Sequence, residues 1–323
     1  MNESTTEFPE TLADSIKYFA NADTALNFVA SIRWPDGKAK CPCCQSTETS
    51  FLSTRRIWKC KKCAKQFSVK IGTIFEDSAL GLDKWLPAFW MIVNAKNGIS
   101  SCELARALGV TQKTAWFMLH RIRLAIQNNS MDKLSGHVEA DETYIGGGVR
   151  KMNAMQRAKF TGTRGWSGKE IVMGLLERGG KVRVKHVKNS KRATVQGEIR
   201  QHVEPGSNVY TDTLRSYNGL NSDYVHEAID HAREYVRGNV HTNGMENFWS
   251  LLKRCIRGTY VSVEPFHLFR YLDEQAFRFN EREGTDSERF LKGIVGIIGK
   301  RLEYMALIGK NSDLPPARTG QAA

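Results

Sequence analysis

Apolar residues recur at helical spacing over residues 10–32, where Leu12, Ile16 and Phe19 are followed by Leu26, Val29 and Ile32. Pro35-Asp36-Gly37 closes that region as a turn. Residues 82–97 read as a buried helix, with Pro87 tolerable near its first turn. Two more helices are expected over residues 100–127. The pattern changes at Ser135-Gly136: HVEADETYI alternates like a strand, and EIVMGLLER and KVRVKHV, joined by Gly179-Gly180, read as a hairpin. Residues 191–203 read as a helix and SNVYTDT as a strand ending in a polar turn. Helical spacing returns over 242–256, 264–282 and 286–308. The tail from Asn311, with Pro315-Pro316 and small residues, is expected to be disordered.

Composition narrows the class. The chain has 323 residues, 41% hydrophobic and 25% charged, which excludes a mainly disordered or fibrous protein and predicts two or three domains. Its longest apolar run, Leu86 to Val93, is far too short for a membrane span. The N-terminus lacks the apolar stretch of a secretory signal, so a reducing compartment is expected. The net charge is +13, and it is unevenly placed. Residues 41–135 carry 14 Lys/Arg against 6 Asp/Glu, and residues 136–200 carry the same numbers. Residues 149–169 alone hold six cations (among them Arg157, Lys159 and Arg164) and no acid, which reads as a basic loop. Such a regional excess suggests a polyanionic partner, with solubility charge as the plainer alternative.

Cys41-x2-Cys44 and Cys60-x2-Cys63 are two knuckles separated by 15 residues. Tetrahedral zinc takes four thiolates, and two tight knuckles supply them in pairs. Trp58 and Phe67 flank the second knuckle and predict a small core. Cys43 is a spare that could replace Cys44, although a one-residue knuckle from Cys41 is too tight. Cys102 and Cys255 read as core residues. Four thiolates leave no open position for water, so the zinc is expected to be structural.

Residues 98–124 suggest a helix, a turn with Gly109 and a second helix capped by Thr111. Ala115, Met118, Leu119 and Ile122 point inward on that second helix. It would present Gln112, Lys113 and Trp116 to a DNA major groove, with Arg121 and Arg123 against phosphates. A plain helical hairpin is the alternative.

Three carboxylates stand in suggestive places. Asp141 lies within a strand pattern, Asp212 at the end of Val209-Tyr210-Thr211-Asp212, and Glu246 on a helix whose buried face is Phe248, Leu251, Leu252 and Cys255. Glu246, Ser250 and Lys253 fall on another face. Carboxylates so placed suit a pair of hard divalent cations that drive phosphoryl displacement. A solvated Asp212, an Asp141 paired with arginine and a surface Glu246–Lys253 face remain open. Glu139 shares the strand face of Asp141 and could compete as a ligand, although Glu139→Gln is expected to leave cleavage largely intact.

From about residue 20 to residue 282 the chain resembles transposases of the IS1595 family of insertion sequences, the ISXO2-like group. The likeness rests on CPCC with CKKCAKQFSVKIGTIF, on GIS with LARALGVTQKTAWFMLHRIR, on VEADETYIGG and VYTD, and on HTNGMENFWSLLKRCIRGTY with YLDEQAFRFN. It implies a multidomain α/β protein: an N-terminal zinc ribbon and helix-turn-helix, then an RNase H-like catalytic domain with a mixed sheet. The expected divisions are a helical segment at 1–38, the ribbon at 39–75, the helix-turn-helix region at 76–134, the catalytic domain at 135–283, a C-terminal helix at 284–310 and a tail at 311–323. The resemblance makes Asp141 the first catalytic acid, Asp212 the second and Glu246 the third, with Lys253 as the basic residue that follows. Some family members carry Asn at the third position, and Asn243 here precedes Glu246 by one turn. The expected function is DNA transposition by strand cleavage and strand transfer, with two Mg²⁺ or Mn²⁺ ions and a structural Zn²⁺. The expected partner is double-stranded DNA, bound by a homo-oligomer in the cytoplasm with no membrane contact. A DNA-binding regulator with a decayed core and a nuclease that cuts without joining are the alternatives.

Overall fold

The computed structural model describes residues 7–127, 131–146, 169–229 and 241–310. They form two compact units. One runs up to Gln127 and resumes at Glu283; the other comprises the residues between.

In the first unit the helical stretch near the N-terminus is split at Asn21. Its side chain accepts from the backbone amides of Asp23 and Thr24, ending α1 (Leu12–Ala20) and capping α2 (Ala22–Arg33). β1 (Thr49–Leu52), β2 (Ile57–Cys60) and β3 (Gln66–Phe67) form a small antiparallel sheet. Trp58 on it meets Phe51, Phe67 and Trp34, the small core expected beside the cysteines. α3 (Leu82–Asn94) is apolar on nearly every side, which makes it the central helix, with Trp85, Leu86, Phe89 and Trp90 buried. α4 (Ser101–Leu108) starts at a reciprocal Ser100–Glu103 capping box and ends at Gly109, whose φ of 62° suits glycine. α5 (Gln112–Ala125) is capped by Thr111.

The helix expected over 286–308 is broken, and it folds back onto this unit. α9 (Asp286–Ile294) places Phe290 among Phe8, Phe19, Phe28, Phe89 and Trp90. Two glycines, Gly296 and Gly299, then interrupt it. A Cβ on Gly296 would stand 2.1 Å from the Ala125 carbonyl oxygen, so the chain passes the end of α5 where no side chain fits. Gly299 has a φ of 71° before the short α10 (Tyr304–Leu307).

The second unit is a five-stranded mixed sheet of order β6-β5-β4-β7-β8. β4 (His137–Ile145), β5 (Glu170–Glu177) and β6 (Val182–Val187) are antiparallel neighbours, while β7 (Asn208–Asp212) and β8 (Val225–Ile229) run parallel to β4. The strand alternation sends residues to two cores. Val138, Ala140, Met173, Leu175 and Val209 meet Val195 and Ile199 of α6 (Arg192–His202) on one face. On the other face Val172, Leu176 and Val182 meet Met245, Phe248 and Leu252 of α7 (Asn243–Arg254) and Leu268, Leu272 and Phe279 of α8 (Leu268–Asn280). A mixed sheet with helices on both faces is the α/β architecture the resemblance implies. β8 went unread in the sequence: it is an edge strand whose only buried residue is Ile229.

Candidate active site and metal centre

The sulfur atoms of Cys41, Cys44, Cys60 and Cys63 all lie within 4.8 Å of one another. Cys41 and Cys63 are 3.6 Å apart, Cys44 and Cys60 3.5 Å. A tetrahedron with sulfur about 2.3 Å from its centre has edges of roughly 3.8 Å, so this set fits zinc. Cys43 is exposed and outside the cluster, as are exposed Cys102 and buried Cys255.

The acids are built onto the larger sheet. Glu139 pairs with Tyr210 in the parallel β4–β7 ladder, so two residues further on Asp141 comes beside Asp212, both on the face that α7 covers. Across the other ladder Asp141 faces Gly174. A Cβ there would meet Met245 Cε at 2.2 Å and the Trp249 ring at 2.7 Å, so glycine lets α7 lie close against the sheet. The Trp249 indole then donates to Asp141 Oδ2 at 2.9 Å. Asp212 ends β7, and its Oδ1 accepts from the Leu214 amide at 2.9 Å in a turn that fixes the carboxylate. Glu246 lies in the first turn of α7, where acids favour the helix dipole.

Burial, and then the charges of Asp212 and Glu246, push the Asp141 carboxyl up to about 6, against the indole hydrogen bond that lowers it. Glu142 points to the opposite face, toward the buried Tyr217. Burial first, then Asp212 and Asp141, raise it to about 8. Lys253, two turns after Glu246 on α7, lies within electrostatic reach of Asp141. Burial lowers the Lys253 ammonium, Arg257 and Lys169 repel it, and Asp141 draws it the other way. Glu246, Trp249 and Lys253 thus share one face of α7. Trp249 was missed in the sequence, although its place three residues after Glu246 puts it on that face. Among the described residues the four cysteines are the group of candidate ligands already gathered closely enough to hold a metal ion.

Glu139 does not stand open beside Asp141. It is 1% exposed, with Oε1 accepting from Arg178 Nε at 2.8 Å and Oε2 from the Met245 amide at 2.9 Å. His241 Nδ1 lies 3.3 Å from Oε1.

The helix-turn-helix expectation needs correction at two residues. Arg121 is 5% exposed and Arg123 1%, so neither offers a surface to phosphate. The Arg121 guanidinium donates to the carbonyls of Leu302, Ile74 and Glu76 at 3.1, 3.0 and 2.7 Å. The sequence reading gave α5 an outer face; the returning C-terminal segment covers it, and Lys300 also donates to the Leu124 and Ala125 carbonyls. Gln112 and Lys113, on the first turn, are exposed, Gln112 donating to Ser101 at 2.8 Å and Lys113 lying over the Tyr304 ring. Trp116 is half-buried against His120. Arg157, Lys159 and Arg164 fall outside the described residues. No described helix is long and apolar enough to cross a membrane.

Residues 133–280 match the ISXO2-like transposase domain and residues 20–66 the transposase zinc-ribbon domain of IS1595 elements. An uncharacterized protein in transposable element ISH50 of Halobacterium salinarum is 32% identical over 257 residues, covering 75% of this chain and 85% of that protein. An uncharacterized transposase-like protein of Haemophilus influenzae is 36% identical over 110 residues, 34% of this chain and 89% of the relative. Among solved structures, a chain of the pre-cleavage Mos1 transpososome aligns at 14% identity and a TM-score of 0.25, over 67% of this chain and 79% of its own. With both of its family domains in sequence, and a relative of nearly the same extent, the chain belongs to the IS1595 family of insertion-sequence transposases, the ISXO2-like group.

Proposed function

We propose that this transposase binds the ends of its element, cleaves there, and joins the freed ends to target DNA. The observation that carries the reading is the β4–β7 register, which brings Asp141 beside Asp212 on the sheet face that α7, the helix bearing Glu246, covers closely. Hard anionic oxygens brought to one face of the sheet suit Mg²⁺ or Mn²⁺, and Asp141, Asp212 and Glu246 would hold two such ions. When bound, they supply positive charge to the attacking and leaving oxygens of an in-line displacement. The protein does the rest. Trp249 holds one Asp141 oxygen and so fixes the carboxylate, to which the Glu142 backbone amide also donates. Lys253 holds a DNA phosphate as a point charge beside Asp141. Each step exchanges one phosphorus–oxygen bond for another, with water as nucleophile first and a DNA 3′-hydroxyl second.

DNA binding falls to the zinc-bearing ribbon, to Gln112, Lys113 and Trp116 on α5, and to Arg157, Lys159 and Arg164. A homo-oligomer on DNA in the cytoplasm, associated with the nucleoid, fits that work. Pre-cut element ends carrying a free 3′-hydroxyl, incubated with target plasmid and Mg²⁺, should yield joined products. Cutting of intact ends without joining would identify a nuclease instead, and binding without either a regulator.

A further inference from the structure

The VEADET motif carries a carboxylate that the proposed chemistry leaves without a role. Glu139 lies two residues before Asp141 on the same strand face, and it is buried. Its charge is already met: Arg178 donates to Oε1 at 2.8 Å, and His241 lies at 3.3 Å. The other oxygen takes the Met245 amide, an otherwise unsatisfied donor in the first turn of α7. Arg178 also donates to the His241 carbonyl at 2.7 Å, tying down the chain that enters the helix. Gly244 completes the seat, since a Cβ there would stand 2.8 Å from Glu139 Oε2 and 2.5 Å from Leu176 Cδ2.

We propose that Glu139 is a positioning residue: it fixes the first turn of α7 on β4 and so sets Glu246 against Asp141, and it is not itself a cation ligand. The inference rests on the reading of Asp141, Asp212 and Glu246 as the cation site. A ligand needs an anionic oxygen open toward the ion, and Glu139 is enclosed, with both oxygens turned to protein donors and Arg178 and His241 already against its charge. The neutral isostere in Glu139→Gln weakens the Arg178 pair and turns an amide toward one of the two donors, so the helix start shifts.

The test is Mn²⁺ binding to the full chain without DNA, followed by electron paramagnetic resonance. Glu139→Gln should weaken affinity about tenfold, the usual size for an outer-shell partner, without changing the number of ions bound. Gly244→Ala, which keeps every carboxylate but displaces the same contact, should weaken it likewise and serves if Glu139→Gln folds poorly. The Glu139→Gln/Glu246→Gln double variant should bind within about twofold of Glu246→Gln alone, because residues acting through one group do not add. Loss of one bound ion in Glu139→Gln, unchanged affinity in both Glu139→Gln and Gly244→Ala, or losses that multiply in the double variant would each overturn the inference alone. Equal Mn²⁺ binding by wild type and Asp141→Asn would overturn the reading of the acids, and the inference with it.

Discussion

At the scale of residues, the second unit holds carboxyl groups in places that disfavour their charge. Asp141 moves from an ordinary 3.8 to about 6, and Glu142 from 4.5 to about 8. Both therefore bind protons more tightly folded than unfolded. The stability this gives is complete below about pH 4 and is lost as pH rises through 6 for Asp141 and through 8 for Glu142. Without added Mg²⁺, wild-type protein should lose stability to urea between pH 4 and 8. The Asp141→Asn variant removes this carboxyl, and with it part of the push on Glu142. It should exceed wild type at pH 8 by up to about 3 kcal/mol, from a little over two pH units at roughly 1.4 kcal/mol each. At pH 4 that advantage should vanish. An aspartate variant less stable than wild type at pH 8 would mean that Asp141 is held by its partners instead of repelled by them. Added Mg²⁺ should stabilise wild type and leave the variant nearly unmoved.

At the scale of elements, α5 shows how burial redirects a charged residue. Arginines at 121 and 123 on an apparently amphipathic helix read as phosphate contacts, yet both are enclosed. Replacing Arg121 by alanine leaves the carbonyls of Leu302, Ile74 and Glu76 without this donor. The expected cost is on the order of 3 kcal/mol, seen as a lower unfolding midpoint. The salt dependence of DNA binding, measured on folded protein, should not change. A slope shallower by about one unit at unchanged stability would restore Arg121 as a phosphate contact. Local signals served well where the physics is local. The two cysteine knuckles, the Ser100 and Thr111 caps and the alternation around Asp141 all state their structure within a few residues. The cover over α5 depends on a segment about 180 positions away, which no window on the helix contains. Separations of 108 and 106 residues likewise hid the pairing of Trp249 with Asp141 and the seat that Glu139 makes for Met245. β8 was missed for another reason: as an edge strand it buries too little to carry a pattern.

At the scale of the whole molecule, the +13 charge divides between two uses. Part of it is structural. In the first unit Lys70, Lys84, Lys300 and Arg121 all donate to backbone carbonyls, two of them at the ends of α4 and α5. The rest, including Lys253 beside Asp141, remains for DNA in the proposed function. Both uses serve a protein in which, in the proposed function, three carboxylates borne on β4, β7 and α7 form one cation-dependent cutting site. The most direct measurement is nicking of DNA carrying the element ends, with and without added Mg²⁺, by wild type and by single variants at the three acids and at Asn243. Cutting should require Mg²⁺ and be lost in Asp141→Asn, Asp212→Asn and Glu246→Gln, while all three still bind the ends and Asn243→Ala still cuts. Cutting retained by Glu246→Gln but lost in Asn243→Ala would move the third ligand one turn back along α7; cutting retained by both aspartate variants would contradict the account.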